Sequence, residues 1–213
     1  MDCVEACPHG ALKRAGKQVT VGEVVDELVR DIPFYAGGGG ATLSGGEPLA
    51  QPEFVASLTA VLRAHRVSVV LDTSGQGSPA LLDRLLPDLD LVLFDIKHMD
   101  SKCHRAGTGI GNELILDNAR RVAREGKLRI SLPLVPGFND SDANVQATGE
   151  FARSLDVAWV DLMPLHQLGA AKYGYLGMPS PYPRFGKLSE DRVARIMELL
   201  ESLGLRVTVG RMM

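Results

Sequence analysis

The feature that most constrains the fold is an alternation of short apolar runs with amphipathic segments along almost the whole chain. Most of the apolar runs lack the polar alternation of half-exposed strands, which is typical of strands covered on both faces. Six runs are interpreted as strands, at about 41–43, 67–71, 89–96, 128–135, 158–163 and 205–209. Because helical segments separate them, the sequence predicts parallel βα units in one sheet.

Sequence features that are typical of helices occur before and between the predicted strands. Thr20 followed by Glu23 is typical of a capping box, and apolar residues recur at helical spacing from Val21 until Pro33. Pro52 stands at the position in a first helical turn that tolerates proline. Further helices are expected at about 79–86, 113–124, 142–155 and 189–203.

Composition excludes several classes of protein. A chain of 213 residues with 45% apolar and 23% charged residues is an ordinary globular protein with one sizeable core. The net charge of −3 and the scattered Lys and Arg residues argue against a nucleic-acid-binding protein. No apolar run reaches the roughly 20 residues of a membrane span, and the N-terminus does not resemble a signal peptide. We therefore expect a cytoplasmic protein with no membrane or nucleic-acid partner.

Polar residues follow five of the predicted strands. In parallel α/β folds such carboxyl ends meet at one edge of the sheet, where ligands bind. Each segment alone is compatible with an ordinary turn, but five at one edge indicate a ligand site. The segments are Ser44-Gly45-Gly46-Glu47, Asp72-Thr73-Ser74-Gly75, Asp95-Ile96-Lys97-His98, Val135-Pro136-Gly137-Phe138-Asn139-Asp140 and Met163-Pro164-Leu165-His166.

The first segment lies within GATLSGGEPLAQPEF, residues 40–54. Two adjacent glycines let a ligand approach the backbone where a side chain would block it. Glu47 is suited to accept hydrogen bonds from an ammonium group. The alternative is a tight strand-to-helix turn with a solvated acid, and the spacing alone does not decide between the two.

A family resemblance rests on TLSGGEPLAQPEF, LDTSG, LFDIKHMD, GNELILDNARR, LPLVPGFND and LMPLHQLGAAKYGYLG. In this order, the series resembles the activating enzymes of glycyl radical enzymes, in the radical S-adenosylmethionine superfamily. It implies a parallel (β/α) barrel that binds S-adenosylmethionine. It also implies a glycyl radical enzyme as partner, from which a radical made by reductive cleavage of the ligand abstracts hydrogen.

The resemblance also implies roles for individual residues. Ser44, Gly45, Gly46 and Glu47 would hold the amino group of S-adenosylmethionine, and Asp95 and Lys97 its methionine end. His166 would lie beside the ribose, and Val135, Pro136 and Gly137 beside the adenine. A monovalent cation, Na⁺ or K⁺, is expected on Asp72, Thr73, Asp95 and the carbonyl of Leu93. The remaining expected cofactor-binding residues are Ser74 and Ser131.

Three departures from the family pattern bear on function. Ser131 and Leu165 stand where the family has Arg and Tyr. The Cys-x3-Cys-x2-Cys loop that holds the family's four-iron cluster does not occur in the sequence. Cys3 and Cys7 instead resemble the end of a ferredoxin-like insert, Cys-x3-Cys-Pro. Residues 1–18 are therefore interpreted as a remnant of that insert with vestigial iron–sulfur ligands, and residues 19–213 as a partial, open barrel that lacks its first β unit.

These departures leave three functional hypotheses. The first is an activase-like S-adenosylmethionine-binding protein that, without a cluster, is not competent for reductive cleavage. The second is a cluster-independent lyase, cyclase or methyl transferase, with Lys97, Glu47, Asp72 and His166 as catalytic candidates. The third is a non-catalytic module that binds the ligand or a partner.

Remaining side chains receive simpler interpretations. The first strand is expected to leave an exposed sheet edge that a second copy or another partner covers, with the N-terminal helix as the alternative cover. His9, His65 and His104 are expected to be solvated, and Trp159 is expected to pack in the core. No role is expected for Cys103.

Overall fold

The computed structural model describes residues 2–14, 16–35 and 37–210. Residues 211–213, the end of the second predicted unit, lie outside the described residues. Within the described residues six strands form one sheet, in the order of the chain and all parallel. The strands are β1 (Gly40–Leu43), β2 (Ser68–Thr73), β3 (Leu91–Asp95), β4 (Leu128–Leu134), β5 (Trp159–Pro164) and β6 (Arg206–Val209).

Helices separate the strands, so the predicted α/β alternation is confirmed. Those already expected are α2 (Val21–Arg30), α3 (Pro52–Ala64), α4 (Pro79–Leu85), α6 (Glu113–Arg124), α7 (Asp142–Ser154) and α9 (Glu190–Ser202). Three short helices were not predicted: α1 (Asp2–Glu5), α5 (Ser101–Thr108) and α8 (Ala170–Tyr175). Single 3₁₀ turns occur at Ile32–Phe34, Pro48–Ala50, Leu86–Asp88 and Tyr182–Arg184.

Local signals set the helix boundaries. Glu23 and Thr20 form the predicted capping box in both directions, which satisfies backbone N–H groups at the start of α2. Pro52 is the first residue of α3. Helix α5 was missed because its sequence has no apolar stripe. It begins where Asp100 accepts a hydrogen bond from the Cys103 backbone, and ends at Gly109, which has φ +89°.

The core lies between one face of the sheet and the helices. Along β2, Val69 and Leu71 are fully buried on this face. Val92 and Phe94 do the same on β3. The alternate residues of both strands are partly exposed on the opposite face. The structure is thus the open, partial (β/α) barrel that the sequence predicts, with an accessible inner face.

The β1 edge of the sheet has no further strand among the described residues, since β1 pairs only with β2. Helix α2 packs against α3. A homodimer or partner at this edge stays a prediction. Among these residues, no helix combines the length and the apolar character needed to cross a bilayer.

Two glycines with the same φ angle provide a test of how tightly the loop after β2 packs against the core. Gly75 and Gly137 both have φ +74°, but a Cβ on Gly75 would lie 2.0 Å from Cζ of the buried Phe94, whereas a Cβ on Gly137 would contact nothing within 4 Å. We expect Gly75→Ala to lower the free energy of unfolding by about 1–3 kcal/mol more than Gly137→Ala, because overpacking adds to a shared backbone strain. Urea denaturation measures both; equal losses would contradict the packing.

Candidate functional site

Polar side chains form a row across four strands of the open face. Asp95, Ser131, Asp161 and Thr208 are successive register partners from β3 to β6. Together with Asp72 they line a cleft of about 380 Å³. The sequence predicted Asp72, Asp95 and Ser131 as site residues, and the structure brings them together. The sequence analysis missed Asp161 and Thr208, although an acidic residue within the otherwise apolar fifth strand could have indicated Asp161.

Asp161 is paired within the protein. Nε and Nη2 of Arg129 each donate to one of its oxygens at 2.5 Å, and the Thr208 hydroxyl also donates to it. These hydrogen bonds to Asp161 raise the pKa of the Arg129 guanidinium above its ordinary value. The guanidinium therefore compensates the charge of Asp161, and Asp72 and Asp95 are the other acids that line the cleft.

Glu47 connects the ends of β1 and β2. Its Oε1 accepts hydrogen bonds from Thr73 Oγ1 at 2.6 Å and the Leu49 backbone at 3.0 Å. Its Oε2 accepts from the backbone and hydroxyl of Ser74, at 2.9 and 2.5 Å. A carboxylate has about four lone-pair positions. The four donors of the protein therefore occupy all of these positions. The Glu47 carboxylate holds the turn after β1 against the end of β2.

The two glycines before Glu47 leave the backbone open. Gly45 has φ +114°, a conformation that favours glycine, and a Cβ on Gly45 or Gly46 would meet nothing within 4 Å. Ser44 donates to Oδ2 of Asp72 at 2.7 Å, which fixes the other side of the turn. The structure thus presents an unobstructed stretch of backbone at the predicted position.

Lys97 and Asp95 form a half-buried ion pair after β3. Lys97 Nζ lies 2.9 Å from Asp95 Oδ2, and the side chains are 33% and 26% exposed. Both residues line a second cleft, of about 280 Å³, together with Glu47 and Ser74. Glu47, at the end of the predicted ammonium-binding turn, and Lys97, predicted at the methionine end of the ligand, therefore line the same cleft.

Two predicted site residues lie apart from this group. The side chain of Thr73 is 3% exposed and bonds to Glu47, on the opposite face of β2 from Asp72. His166 is exposed and lines a separate cleft of about 270 Å³, with Phe185 and Lys187 among its neighbours. Leu93 lines the larger cleft with Asp72 and Asp95, so three of the four residues predicted to hold the cation lie along it.

Buried asparagines hold the loops that carry the site. Asn139, 1% exposed, donates to the carbonyl groups of Lys97 and Pro133 and accepts from the Val135 backbone at 2.8 Å. It thereby ties the predicted adenine-side segment, Val135 to Gly137, to the lysine loop. Gly137 in turn donates to Oδ1 of Asp140 at 2.8 Å.

Asn112 and Asn118 have the same role in α6 and the turn before it. Asn112 donates to the carbonyl groups of His98 and Met99, and Asn118 to those of Gly75 and Gly77. Neither was predicted. Asn118 stands on the apolar stripe of α6, three residues after Ile115 and four before Val122, and a polar residue in such a stripe was the available signal.

Two expectations about single side chains were wrong. His104 is 2% exposed rather than solvated, because its ring Nδ1 bonds to the Ile110 carbonyl at 2.8 Å within the loop that closes α5. Trp159 is 37% exposed rather than in the core, because it lies on the open face of the sheet. The guanidinium carbons of Arg129 and Arg206 lie 5.0 and 5.4 Å from its ring centroid. His9 and His65 are exposed, as expected.

The cysteines do not form a cluster site in the described residues. Cys3 lies in α1 and Cys103 in α5, both exposed, and Cys7 is half-buried. Backbone N–H groups of His9, Ala11 and Leu12 hold the pKa of the Cys7 thiol below its ordinary value. Within 2–14, 16–35 and 37–210, no three His, Cys, Asp or Glu side chains are arranged to hold a metal. These residues therefore do not fit a cluster held by three thiolates.

The known proteins that resemble this chain in sequence agree with one another in family. The radical SAM superfamily model matches residues 3–146. The 4-hydroxyphenylacetate decarboxylase activating enzyme of Clostridioides difficile is 34% identical over 98% of this chain and 67% of its own length. The isethionate sulfite-lyase activating enzyme of Desulfovibrio desulfuricans is 37% identical over 98% of this chain and 68% of its own.

A solved domain of the pyruvate-formate lyase-activating enzyme from Bacteroides vulgatus has the same fold, with a TM-score of 0.69 and 30% identity. The match covers 82% of this chain and 100% of that domain. The chain spans about two thirds of the length of the two curated relatives. With this match to the family model and these relatives, the chain belongs to the radical SAM superfamily, among the activating enzymes of glycyl radical enzymes.

Proposed function

We propose that this chain binds S-adenosylmethionine at the carboxyl edge of its sheet, as the ligand-binding part of an activating enzyme for a glycyl radical enzyme. The observation that carries the proposal is that Glu47, which follows the open Gly45-Gly46 turn, and the Lys97–Asp95 pair line the same cleft. The methionine end of the ligand carries an ammonium and a carboxylate, which need acceptors and a cation respectively.

Glu47 contributes to this site through the turn. Since its lone-pair positions are occupied by Thr73, Ser74 and Leu49, the ammonium group would be bound by the backbone that Glu47 fixes. Lys97 keeps N–H groups beyond the one donated to Asp95, and these suit the carboxylate. Asp72, Asp95 and the Leu93 carbonyl would hold the monovalent cation, while Thr73 bonds elsewhere.

The remaining expected contacts belong to the same proposal. Val135, Pro136 and Gly137 would flank the adenine, and His166 would reach the ribose from its neighbouring cleft. In the activases that the sequence resembles, S-adenosylmethionine supplies the hydrogen-abstracting radical once an iron–sulfur cluster has reduced it. Because the described residues do not fit such a cluster, the chemistry proposed for these 213 residues stops at binding. The partner would be a glycyl radical enzyme.

Lys97→Ala should weaken the binding of S-adenosylmethionine by about tenfold or more, since a hydrogen bond to a charged group contributes about 1.5–3 kcal/mol. Isothermal titration calorimetry measures the dissociation constant. Lys102→Ala is the matched control, because Lys102 is exposed on α5 and does not line either cleft of the site. Unchanged affinity in the Lys97 variant would contradict the assignment.

Glu47→Ala should weaken binding and also destabilise the fold, because four donors lose their acceptor. Each lost hydrogen bond is typically worth about 0.5–1.5 kcal/mol, so the melting temperature should fall measurably in a thermal scan. Glu53→Ala, at a carboxylate 79% exposed on α3, is the control for removing a charge. A Glu47 variant with wild-type stability but weaker binding would show instead that the carboxylate contacts the ligand directly.

A polypeptide of these 213 residues should form no 5′-deoxyadenosine from S-adenosylmethionine. After anaerobic reconstitution with iron and sulfide and reduction with dithionite, chromatography detects the products. Methylthioadenosine or S-adenosylhomocysteine formed without reductant would favour the cluster-independent enzyme, and no product the binding module. A paramagnetic resonance signal of a reduced cluster that shifts on adding S-adenosylmethionine, together with 5′-deoxyadenosine, would refute the expectation.

A further inference from the structure

Asn139 and Asn144 form a buried bridge between two loops at the carboxyl edge of the sheet. The two residues are 1% and 5% exposed. Nδ2 of Asn139 donates to the carbonyl oxygens of Lys97 at 2.8 Å and Pro133 at 2.5 Å, and Oδ1 accepts from the Val135 backbone at 2.8 Å. Because a carbonyl group only accepts and a backbone N–H only donates, these partners fix the orientation of the amide.

Asn144 extends the bridge along the lysine loop. Its Nδ2 donates to the Asn139 carbonyl at 2.9 Å, and its Oδ1 accepts from the Met99 backbone at 2.9 Å. The loop after β3 is therefore held at two points, Lys97 and Met99, by side chains of the loop after β4 and of α7. Breaking one of these buried hydrogen bonds would leave a polar group unpaired in the interior, which is costly. The bridge thus gives the two loops one defined spacing.

The bridge joins the segments proposed for the two ends of S-adenosylmethionine. Lys97 lies at the proposed methionine end, and Val135 begins the segment proposed to flank the adenine. A ligand that spans both ends gains from their correct spacing, because binding of one end presents the other at a high effective concentration. A fragment that reaches only one end gains nothing from that spacing.

We propose that Asn139 is a positioning residue that, together with Asn144, sets the spacing between the methionine and adenine ends of the ligand site. Asn139 acts through the backbone of Lys97 and Val135 and does not contact the ligand. The inference rests on the proposed function, to which it adds that buried amides couple the two ends of the site.

Three ligands measure this spacing. S-adenosylhomocysteine has both ends, methylthioadenosine has only the nucleoside, and methionine has only the amino acid. The ratio of the S-adenosylhomocysteine association constant to the product of the two fragment constants reports how well the ends are placed. A smaller folded fraction lowers every association constant by the same factor, so it cannot lower this ratio.

We expect Asn139→Ala to lower the ratio about tenfold, which lies within the usual range of coupling between two sites. Calorimetry measures the constant for S-adenosylhomocysteine, and nuclear magnetic resonance titration measures those of the fragments. Asn144→Ala, which removes the second hold on the lysine loop, should lower the ratio in the same direction.

Asn118→Ala is the matched control. Asn118 is 0% exposed and also donates to two carbonyl groups, but those of Gly75 and Gly77 both lie in the loop after β2. Its side chain therefore does not join the two ends of the proposed site, and its removal should not lower the ratio.

A spectrum of the unmodified chain decides the case in which no Asn139 variant folds. The ¹⁵N signal of the Asn139 side-chain amide should shift on adding methionine alone and also on adding methylthioadenosine alone, because its hydrogen-bond partners belong to both ends of the site.

Each outcome has one meaning. An unchanged ratio in Asn139→Ala, an equal fall in Asn118→Ala, or an Asn139 signal that responds to only one fragment would overturn the inference, while binding of S-adenosylhomocysteine by the unmodified chain would still support the proposed function. If the unmodified chain binds none of the three ligands, the proposed function fails and the inference fails with it.

Discussion

The site depends on hydrogen bonds from buried side-chain amides to loop carbonyl groups. The loops after β2, β3 and β4 contain no regular backbone ladder, so their carbonyl groups need other donors. Asn118, Asn112 and Asn139 supply them, and Asn144 continues the chain of contacts by donating to the Asn139 carbonyl. These amides are at most 5% exposed. They allow a short, glycine-rich edge of the sheet to keep a defined shape.

Glu47 completes this arrangement at the first two strands. Its carboxylate joins the turn after β1 to the start of the loop after β2. In the proposed site, Glu47 would therefore contribute to ligand binding by fixing the backbone of the turn and not by contacting the ligand. Lys97, by contrast, has one protein partner in an ion pair and hydrogen-bonding capacity to spare. The two residues line the same cleft, where Lys97 has N–H groups left to bind a ligand and Glu47 has no free hydrogen-bonding position.

Sequence patterns predicted most of the architecture because they are local. The capping box at Thr20, the proline that opens α3 and the bounds of α6 were read from spacing alone, and the structure has them. Helices α5 and α8 were missed since they are short and have no apolar stripe. Trp159 was misplaced for a related reason: its place in a strand with Val160 and Met163 indicated the core, but the strand pattern does not show which face of the strand is covered.

The sequence by itself determined the parallel α/β order and the edge of the sheet where the polar residues gather, because these follow from periodicity and strand ends, and its motifs carried the resemblance to the family. Only the tertiary structure decided how those residues divide their hydrogen bonds. It showed that the hydrogen-bonding positions of Glu47 are all occupied, that Thr73 points away from Asp72, that Arg129 neutralises Asp161, and that Nε2 of His104 is buried without a hydrogen-bond partner. The physical reason is that decisive hydrogen-bond partners are far apart in the sequence, 26 residues for Glu47 and Thr73 and 32 residues for Arg129 and Asp161. A local sequence pattern does not contain the information about which of these side chains meet.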